Sequence, residues 1–433
     1  ARLSHSVANS YYCTGPYILK CRGAAISVSR NNRKNRIASG LSCIKSLFKK
    51  RQYKVIAMRQ LAFAYRLIHP APVWIFSDRT FAAGDNGETL FRYAVGKNDN
   101  ARKYFLLDEK SPDYDRMKKF GKVLSPNSLK YKLLFLCSDL IISSHADAWV
   151  TNALGKKGKY YSDMLRFRFV FLQHGITKDN LSRWLGKRNK NIKCLITAAY
   201  EEYRSFIDGQ YGYTENEVKL TGLPRYDLLH NNISKRILIM PTWRKNLAGR
   251  LIYGTSERAY NEEFRKSGYY YFYNNLINNK ILVELLKKKG FTGELFMHPA
   301  LKNQAVDFDE NSTITVHKGD PDYSREFADG ALLLTDYSSV AFDFAYLGKP
   351  IVYTQFDRET FFEGHTYSEG YFSYENDGFG PVTHSIEDTV SSISEILEND
   401  CVNSELYIER RNSFFAFDDR NNCERVYREI INL

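Results

Sequence analysis

Three histidines, an arginine and a serine pair stand where a reaction at phosphate would need them. His145, His174 and His298 are three of only nine histidines in the 433-residue chain, and each comes just after an apolar run that reads as a strand. His174, followed by Gly175 for backbone freedom, is a candidate general base. An imidazole near its ordinary pKa of about 6.5 takes a hydroxyl proton at neutral pH. Its structural alternative is a ring held by a loop carbonyl. Arg244, in Pro241-Thr242-Trp243-Arg244, offers a guanidinium fork matched to phosphate oxygens, and Thr242 adds a hydroxyl; the alternative is a surface arginine. His298, before Pro299, is placed to donate to a phosphate or to a departing phosphate oxygen, or simply to cap a turn. His145 is the weakest of the set and is equally readable as structural.

The stretch Leu333-Leu334-Thr335-Asp336-Tyr337-Ser338-Ser339-Val340-Ala341-Phe342-Asp343 completes the list. A buried strand ends near Thr335, and a helix opens directly after it, with Asp336, Ser338 and Ser339 as N-cap residues. Free backbone N–H groups and the positive end of the helix dipole favour an anion there, and the two serines add hydroxyl donors. Taken alone, the stretch also fits an ordinary strand-to-helix connection.

The elements that must position these residues form two series. Strands are expected at 73–76, 104–107, 140–143, 167–172, 194–197 and 218–221, with helices near 86–95, 126–136 and 200–208. A second series follows at 237–240, 295–297, 313–316, 331–334 and 350–354, with a polar loop over 245–268 and one long helix near 272–289. An aromatic, glycine-rich loop is expected over 361–379, and terminal helices follow from about 387. Alternating strands and helices of this kind predict doubly wound parallel sheets, in which ligands bind outside the carboxyl ends of the strands.

At 43% hydrophobic and 26% charged residues, the composition is that of a globular protein with room for two domains, and no apolar run is long enough to span a bilayer. The seven cysteines are odd in number and form no CxxC pair. This argues against a zinc site or disulfide framework and for a reducing compartment. Asp78 is the first acidic residue, and fourteen basic residues precede it. Taking those 14 from 62 leaves 48 basic against 49 acidic residues, so the net charge of +13 is an N-terminal property. Residues 1–36 read as loosely ordered. From Leu41, a helical spacing of Leu41, Ile44, Phe48, Val55, Met58, Ala62 and Tyr65 has Lys45, Lys49, Lys50, Arg51 and Arg59 between its members. Such a basic amphipathic stretch suits an anionic membrane surface, each basic residue contributing on the order of 1 kcal/mol; the alternative is a helix packed on its own domain with a solvated basic face. No nucleic-acid recognition fold is present. The chain also lacks GxxxxGK[ST], GxSxG and HExxH, so the economical reading is a metal-free transfer run by histidines, arginine and helix-end electrostatics, with no cofactor required.

Gln173-His174-Gly175, Pro241-Thr242-Trp243-Arg244, Met297-His298-Pro299 and the stretch from Thr335 to Asp343, in this order, resemble the CDP-glycerol glycerophosphotransferase family of teichoic acid and capsule polymerases. Tyr273 to Asn279 and Tyr371 to Pro381 resemble it too. The resemblance runs from about Val73 to the C-terminus. The two successive series suggest an α/β fold of two Rossmann-like domains facing a central cleft, as in the glycosyltransferase-B class, and the basic helical N-terminal extension lies outside the match. The expected organisation is a membrane-associating segment at 1–68, an acceptor domain at 69–228, a nucleotide-donor domain at 229–390 and C-terminal helices at 391–433. The implied reaction is transfer of an alditol phosphate from CDP-glycerol or CDP-ribitol to a hydroxyl of a lipid-linked or capsule polymer, with release of CMP. It would take place peripherally on the cytoplasmic face of the bacterial membrane. The resemblance makes His174 the base and gives the donor diphosphate to His298, Ser338 and Ser339, with Arg244 nearby and Asp343 in support. Many relatives continue His-Gly with Thr-Pro-Leu-Lys, whereas here Ile176-Thr177-Lys178-Asp179 follows. Lys178 still offers a cation at that loop, and the choice of alditol stays open. Two alternatives remain: a nucleotide-sugar glycosyltransferase of the same architecture, and a non-catalytic membrane-bound polymer-binding scaffold.

Overall fold

The structure, a computed structural model, describes residues 10–22, 25–251, 258–319, 321–361 and 368–433. Parts of the expected N-terminal segment, polar loop and aromatic loop (1–9, 252–257 and 362–367) therefore lie outside the described residues. The chain divides into two compact units: Ala1–His174 with Lys190–Ile196 and Tyr427–Leu433, and Gly175–Asn189 with Thr197–Val426.

The first unit opens on β1 (Tyr12–Thr14), β2 (Tyr17–Arg22) and β3 (Ala25–Arg30), an antiparallel meander. Residues 1–36 were expected to be loosely ordered; those described at 12–22 and 25–30 instead pair as this meander. Ile18 is buried, while Tyr17, Ile26 and Val28 point to solvent, as in a half-covered sheet. Two helices follow, α1 (Arg33–Lys49) and α2 (Tyr53–Ile68), where one was expected. The break is at Arg51, in the left-handed region at φ 54. Their buried residues, Cys43, Leu47, Val55 and Ala62, pack with Leu136, Cys137 and Tyr161. Helices α1 and α2 thus contribute side chains to the first unit's own core.

Next come β4 (Val73–Ser77), α3 (Asn86–Val95), β5 (Arg102–Leu106), β6 (Val123–Leu124), α4 (Leu129–Cys137), β7 (Leu140–Ser143), β8 (Arg168–Phe171) and β9 (Ile192–Thr197). The six strands are parallel in the order β6-β5-β4-β7-β8-β9. Every residue of β4 and β7 is buried, as a sheet covered on both faces requires. The strand order reverses between β4 and β7, and a ligand crevice lies at such a point, beyond the strand ends.

The second unit repeats the plan. After α5 (Tyr200–Asp208) and β10 (Val218–Leu220) come β11 (Arg236–Ile239), α6 (Gly268–Ile277), α7 (Lys280–Lys289), β12 (Thr292–Phe296), β13 (Ile314–His317), β14 (Leu332–Thr335), α8 (Val340–Tyr346), β15 (Ile351–Thr354) and β16 (Val382–Thr383). The parallel order is β13-β12-β11-β14-β15-β16, reversing between β11 and β14. The expected long helix is two helices, because Asn279 is extended and its side chain accepts from Leu282 N at 3.1 Å, giving α7 its own cap.

The division differs from the expected junction at 228/229. The turn Pro224–Leu228 belongs to the second unit, where Arg225 grips Asp343 and Tyr226 stacks on Tyr346 at 4.2 Å. Residues 391–433 form no domain of their own: Ile393 and Leu397 join the second unit's core with Leu282 and Leu286.

Candidate active site

In the first unit, three strand ends meet the start of α3. Asp78, one residue past β4, is buried and accepts from Asp85 N, Gly87 N and Glu88 N at 3.1, 2.7 and 3.1 Å. It also accepts from Ser144 Oγ, past β7, at 2.6 Å. Gly87 is required here, since a Cβ would lie 2.5 Å from both Asp78 Oδ1 and the Ser77 carbonyl. Burial holds the Asp78 carboxyl above the usual carboxylate range, and the Asp85 charge adds to this. The Ser144 hydroxyl and the backbone donors pull the other way.

Ser144 leads into His145, whose ring lies 4.8 Å from that of His174 at an interplanar angle of 11°. Burial, and then the His174 charge, depress the His145 imidazole to about 3, so it is neutral at physiological pH. His174 is presented by a strained backbone. Gln173 is almost wholly buried at φ 61, which for a residue with a Cβ costs about 1–2 kcal/mol. Two hydrogen bonds hold it there: Gln173 Nε2 donates to Ile196 O at 2.6 Å, and Asn86 Nδ2 donates to Gln173 O at 2.8 Å. Of the residues expected from the sequence, His145 and His174 are thus brought together. The groups that fix them, Asp78, Asn86 and Ser144, were missed.

In the second unit, a cavity opens at the switch point, lined by Met240 and Pro241 after β11, Met297 and His298 after β12, Tyr323, and Ser338 after β14. His298 Nδ1 accepts from Ala300 N at 3.1 Å, which assigns the ring hydrogen of the neutral form to Nε2. The ring stacks on Trp243 at 6.0 Å, and the Arg258 guanidinium lies 5.3 Å from the Trp243 ring. Ser338 Oγ accepts from Val340 N at 3.4 Å. Helix α8 spans only seven residues, and Ser339 caps it without a side-chain hydrogen bond. Gly175, the residue after His174, lets the chain pass close by Ser339: a Cβ there would be 2.9 Å from Ser339 Oγ.

Arg244 and Asp336 are placed differently from the phosphate ligands read in the sequence. The Arg244 fork is filled by protein carboxylates, with Nε and Nη2 on Asp357 at 2.7 and 3.0 Å and Nη2 on Asp336 at 2.9 Å. The guanidinium is enclosed by the Tyr269, Tyr337 and Phe361 rings. Burial works against its charge, but Asp336 and Asp357 more than offset this and raise its pKa. Asp336 is fully buried and also accepts from Thr242 N at 2.7 Å and Tyr337 N at 2.6 Å. Together they brace the loops that follow β11 and β14. The Thr242 hydroxyl is buried with no partner among the described residues. Lys178 is likewise engaged, by Asp179 at 2.7 Å, and lies 5.4 Å from the Tyr374 ring. Asp343 holds Arg225 Nε and Nη2 at 2.8 and 2.7 Å. The signal for Arg225 was the Gly222-Leu223-Pro224 turn just before it, at a strand end like the others.

A family model described as CDP-Glycerol:Poly(glycerophosphate) glycerophosphotransferase matches residues 57–432. The Minor teichoic acid biosynthesis protein GgaB of Bacillus subtilis (strain 168) is 38% identical over 441 residues, covering 100% of this chain and 48% of that protein. The Teichoic acid ribitol-phosphate polymerase TarL of Staphylococcus aureus (strain NCTC 8325 / PS 47) is 26% identical over 233 residues, 52% of this chain and 39% of its own length. The chain therefore spans about half, or less, of the length of these relatives. Among solved structures, the Wall Teichoic Acid Polymerase TagF superposes with a TM-score of 0.61 over 93% of this chain and 98% of that one, at 16% identity, a likeness of fold.

Proposed function

Because the chain belongs to the CDP-glycerol:poly(glycerophosphate) glycerophosphotransferase family, we propose that it transfers an alditol phosphate from CDP-glycerol or CDP-ribitol to a hydroxyl of a teichoic acid or capsule polymer, releasing CMP. The observation that carries this reading is the cavity at the second unit's switch point, where His298, with Nδ1 accepting from Ala300 N, shares the lining with Ser338. These are donors for a diphosphate. In the proposed reaction His174 accepts the proton of the acceptor hydroxyl, the acceptor oxygen bonds to the β-phosphorus, and the bond to the bridging oxygen breaks. CMP carries that oxygen away, with the His298 N–H hydrogen-bonded to the phosphate that leaves. Positioning and charge stabilisation supply most of the barrier reduction in such a transfer. Asp336, Arg244 and Asp357 act as the frame of the cradle, and Asp343 acts through Arg225.

The test is incubation with CDP-glycerol and CDP-ribitol separately, with candidate polymer acceptors, scoring the nucleotide released. CMP from one of them is expected. Release of UDP or GDP from the corresponding nucleotide sugars, with no CMP, would replace the proposal by a glycosyltransferase. Turnover in His174→Ala should fall about 10²–10⁴-fold with little loss of donor binding. Wild-type turnover in that variant would remove His174 from the chemistry.

The proposal places this activity at an anionic membrane surface on the cytoplasmic side, where a lipid-linked acceptor is presented. Helices α1 and α2 support this reading. Ile37, Leu41 and Phe48 of α1, and Tyr53, Leu61, Phe63, Leu67 and Ile68 of α2, are each more than half exposed, among exposed Lys45, Lys49, Lys50, Arg51 and Lys54. No helix among the described residues is long and apolar enough to cross a membrane.

A further inference from the structure

We propose that Gln173 and Asn86 are positioning residues, locking the peptide that carries His174 so that its imidazole lies flat against His145. The inference rests on the reading of His174 as the base and says what makes that base effective.

Gln173 is neither glycine nor asparagine, yet it sits in the left-handed region immediately before His174. A residue in that conformation persists only when its surroundings determine it. Here both ends of the residue are tied. Its amide side chain reaches the Ile196 carbonyl at the end of β9, and its own carbonyl receives Asn86 Nδ2, which also lies 3.5 Å from Leu172 O. Asn86 is fully buried and is the first residue of α3, whose cap Asp85 accepts from Asn86 N at 2.8 Å.

The same helix start governs the second histidine. Gly87 N donates to Asp78 Oδ1 at 2.7 Å and to Ser144 Oγ at 2.9 Å, while Ser144 Oγ donates to Asp78. His145 N donates in turn to Ser143 Oγ at 3.1 Å, and Ser143 Oγ receives Ser77 Oγ at 3.0 Å. The turns after β7 and β8 are therefore both hung on the first two residues of α3, one through Asp78 and one through Asn86. The stacked histidine pair is the product of that shared anchor. A ring held in this way needs no reorganisation before it accepts a proton, whereas a loose one forfeits part of the rate that orientation supplies.

Gln173→Gly removes the strain and the side-chain tether together, since glycine adopts this conformation freely. Asn86→Asp keeps the shape but removes the donor to Gln173 O. Both should fold, lower kcat about tenfold or more and leave KM for the CDP-alditol within about threefold. Gln173→Asn, which tolerates the left-handed region, should retain more activity than Gln173→Gly. NMR of [13Cε1]histidine-labelled protein gives the readout that a merely structural role would not move. Two wild-type ring signals, assigned through His145→Phe and His174→Ala, should lose their mutual ring-current shift in Gln173→Gly.

Wild-type kcat and unchanged ring signals in both variants would overturn the inference. If Asn86→Asp does not fold, Gln173→Gly carries the test alone. His174→Ala, run beside them, separates the two readings. Full activity there sinks the base assignment, and the inference with it. A dead His174→Ala with fully active Gln173→Gly sinks only the positioning role.

Discussion

A neutral imidazole carries its one ring hydrogen on either nitrogen, and at His298 the hydrogen bond from Ala300 N to Nδ1 puts it on Nε2. A donor of this kind stabilises charge growing on a phosphate oxygen without itself changing charge. His298→Phe keeps a ring beside Trp243 but removes the donor, so turnover should fall about 10²–10³-fold, with the protein still folded by circular dichroism. His145 yields a prediction in stability. Its native pKa of about 3 lies below the unfolded value near 6.5, so between these limits the unfolded chain binds a proton that the native state does not. Its contribution is fully present above pH 6.5 and lost as pH falls towards 3. Melting temperatures of wild type should drop more steeply than those of His145→Phe from pH 6.5 to 4, and parallel curves would contradict the burial account. The histidines were legible because each follows an apolar strand. Their supports were not, because they act across long separations: Ser144 on Asp78 over 66 positions, Asn86 on Gln173 over 87, and Arg225 on Asp343 over 118. Nor did spacing reveal that the Arg244 fork is filled by Asp336 and Asp357.

At the scale of elements, the alternation of strands and helices was readable almost throughout. α3 and α5 fall on the expected residues, and all but two of the parallel strands were anticipated, the exceptions being the two-residue β6 and β16. Short strands carry too little pattern to be seen. The N-terminal stretch was read as loosely ordered in its first part, where β1, β2 and β3 lie, and as one basic stripe in its second, where two helices pack on the first unit. Arg59 shows the difference. Counted among the basic residues of an exposed stripe, it is instead buried in α2, with Nη1 on Asp163 Oδ1 at 2.8 Å and on Tyr160 O at 2.7 Å. Hydrophobic spacing alone cannot distinguish a buried paired arginine from a solvated one. The pairing makes a prediction about the attachment of α2. Removing one partner leaves a buried charge uncompensated, so Asp163→Ala should destabilise the protein by about 3–5 kcal/mol. Arg59→Met with Asp163→Leu should cost much less, because no lone charge remains. Urea denaturation of the three proteins checks this; equal losses in the single and double variants would mean that the ion pair is not what fastens the helix.

For the whole molecule, the decisive quantity is where the charge lies. The +13 excess belongs to the first 77 residues, and the remainder is near neutral. The described part of that basic segment also exposes a row of large apolar side chains on α1 and α2, and further ones, Tyr17, Ile26 and Val28, on the meander. Buried side chains hold these elements to the first unit, so their exposed faces are available to a second surface without unfolding anything. An anionic bilayer satisfies both features, since lysines gain from the surface potential and apolar side chains gain by leaving water. The two contributions have different salt dependence, which makes the account testable. Replacing Lys45, Lys49 and Lys50 by Gln should weaken flotation with phosphatidylglycerol vesicles. Raising salt from about 0.1 to 1 M should weaken wild type in the same way, because the screening length shrinks from about 10 to 3 Å. Leu67→Ser with Ile68→Ser should weaken flotation at both salt concentrations alike. CMP release with a soluble acceptor should persist in all these variants, because none of the substituted residues belongs to the His174 or His298 sites. Flotation that ignores both the lysines and salt would leave the charge asymmetry without a membrane role.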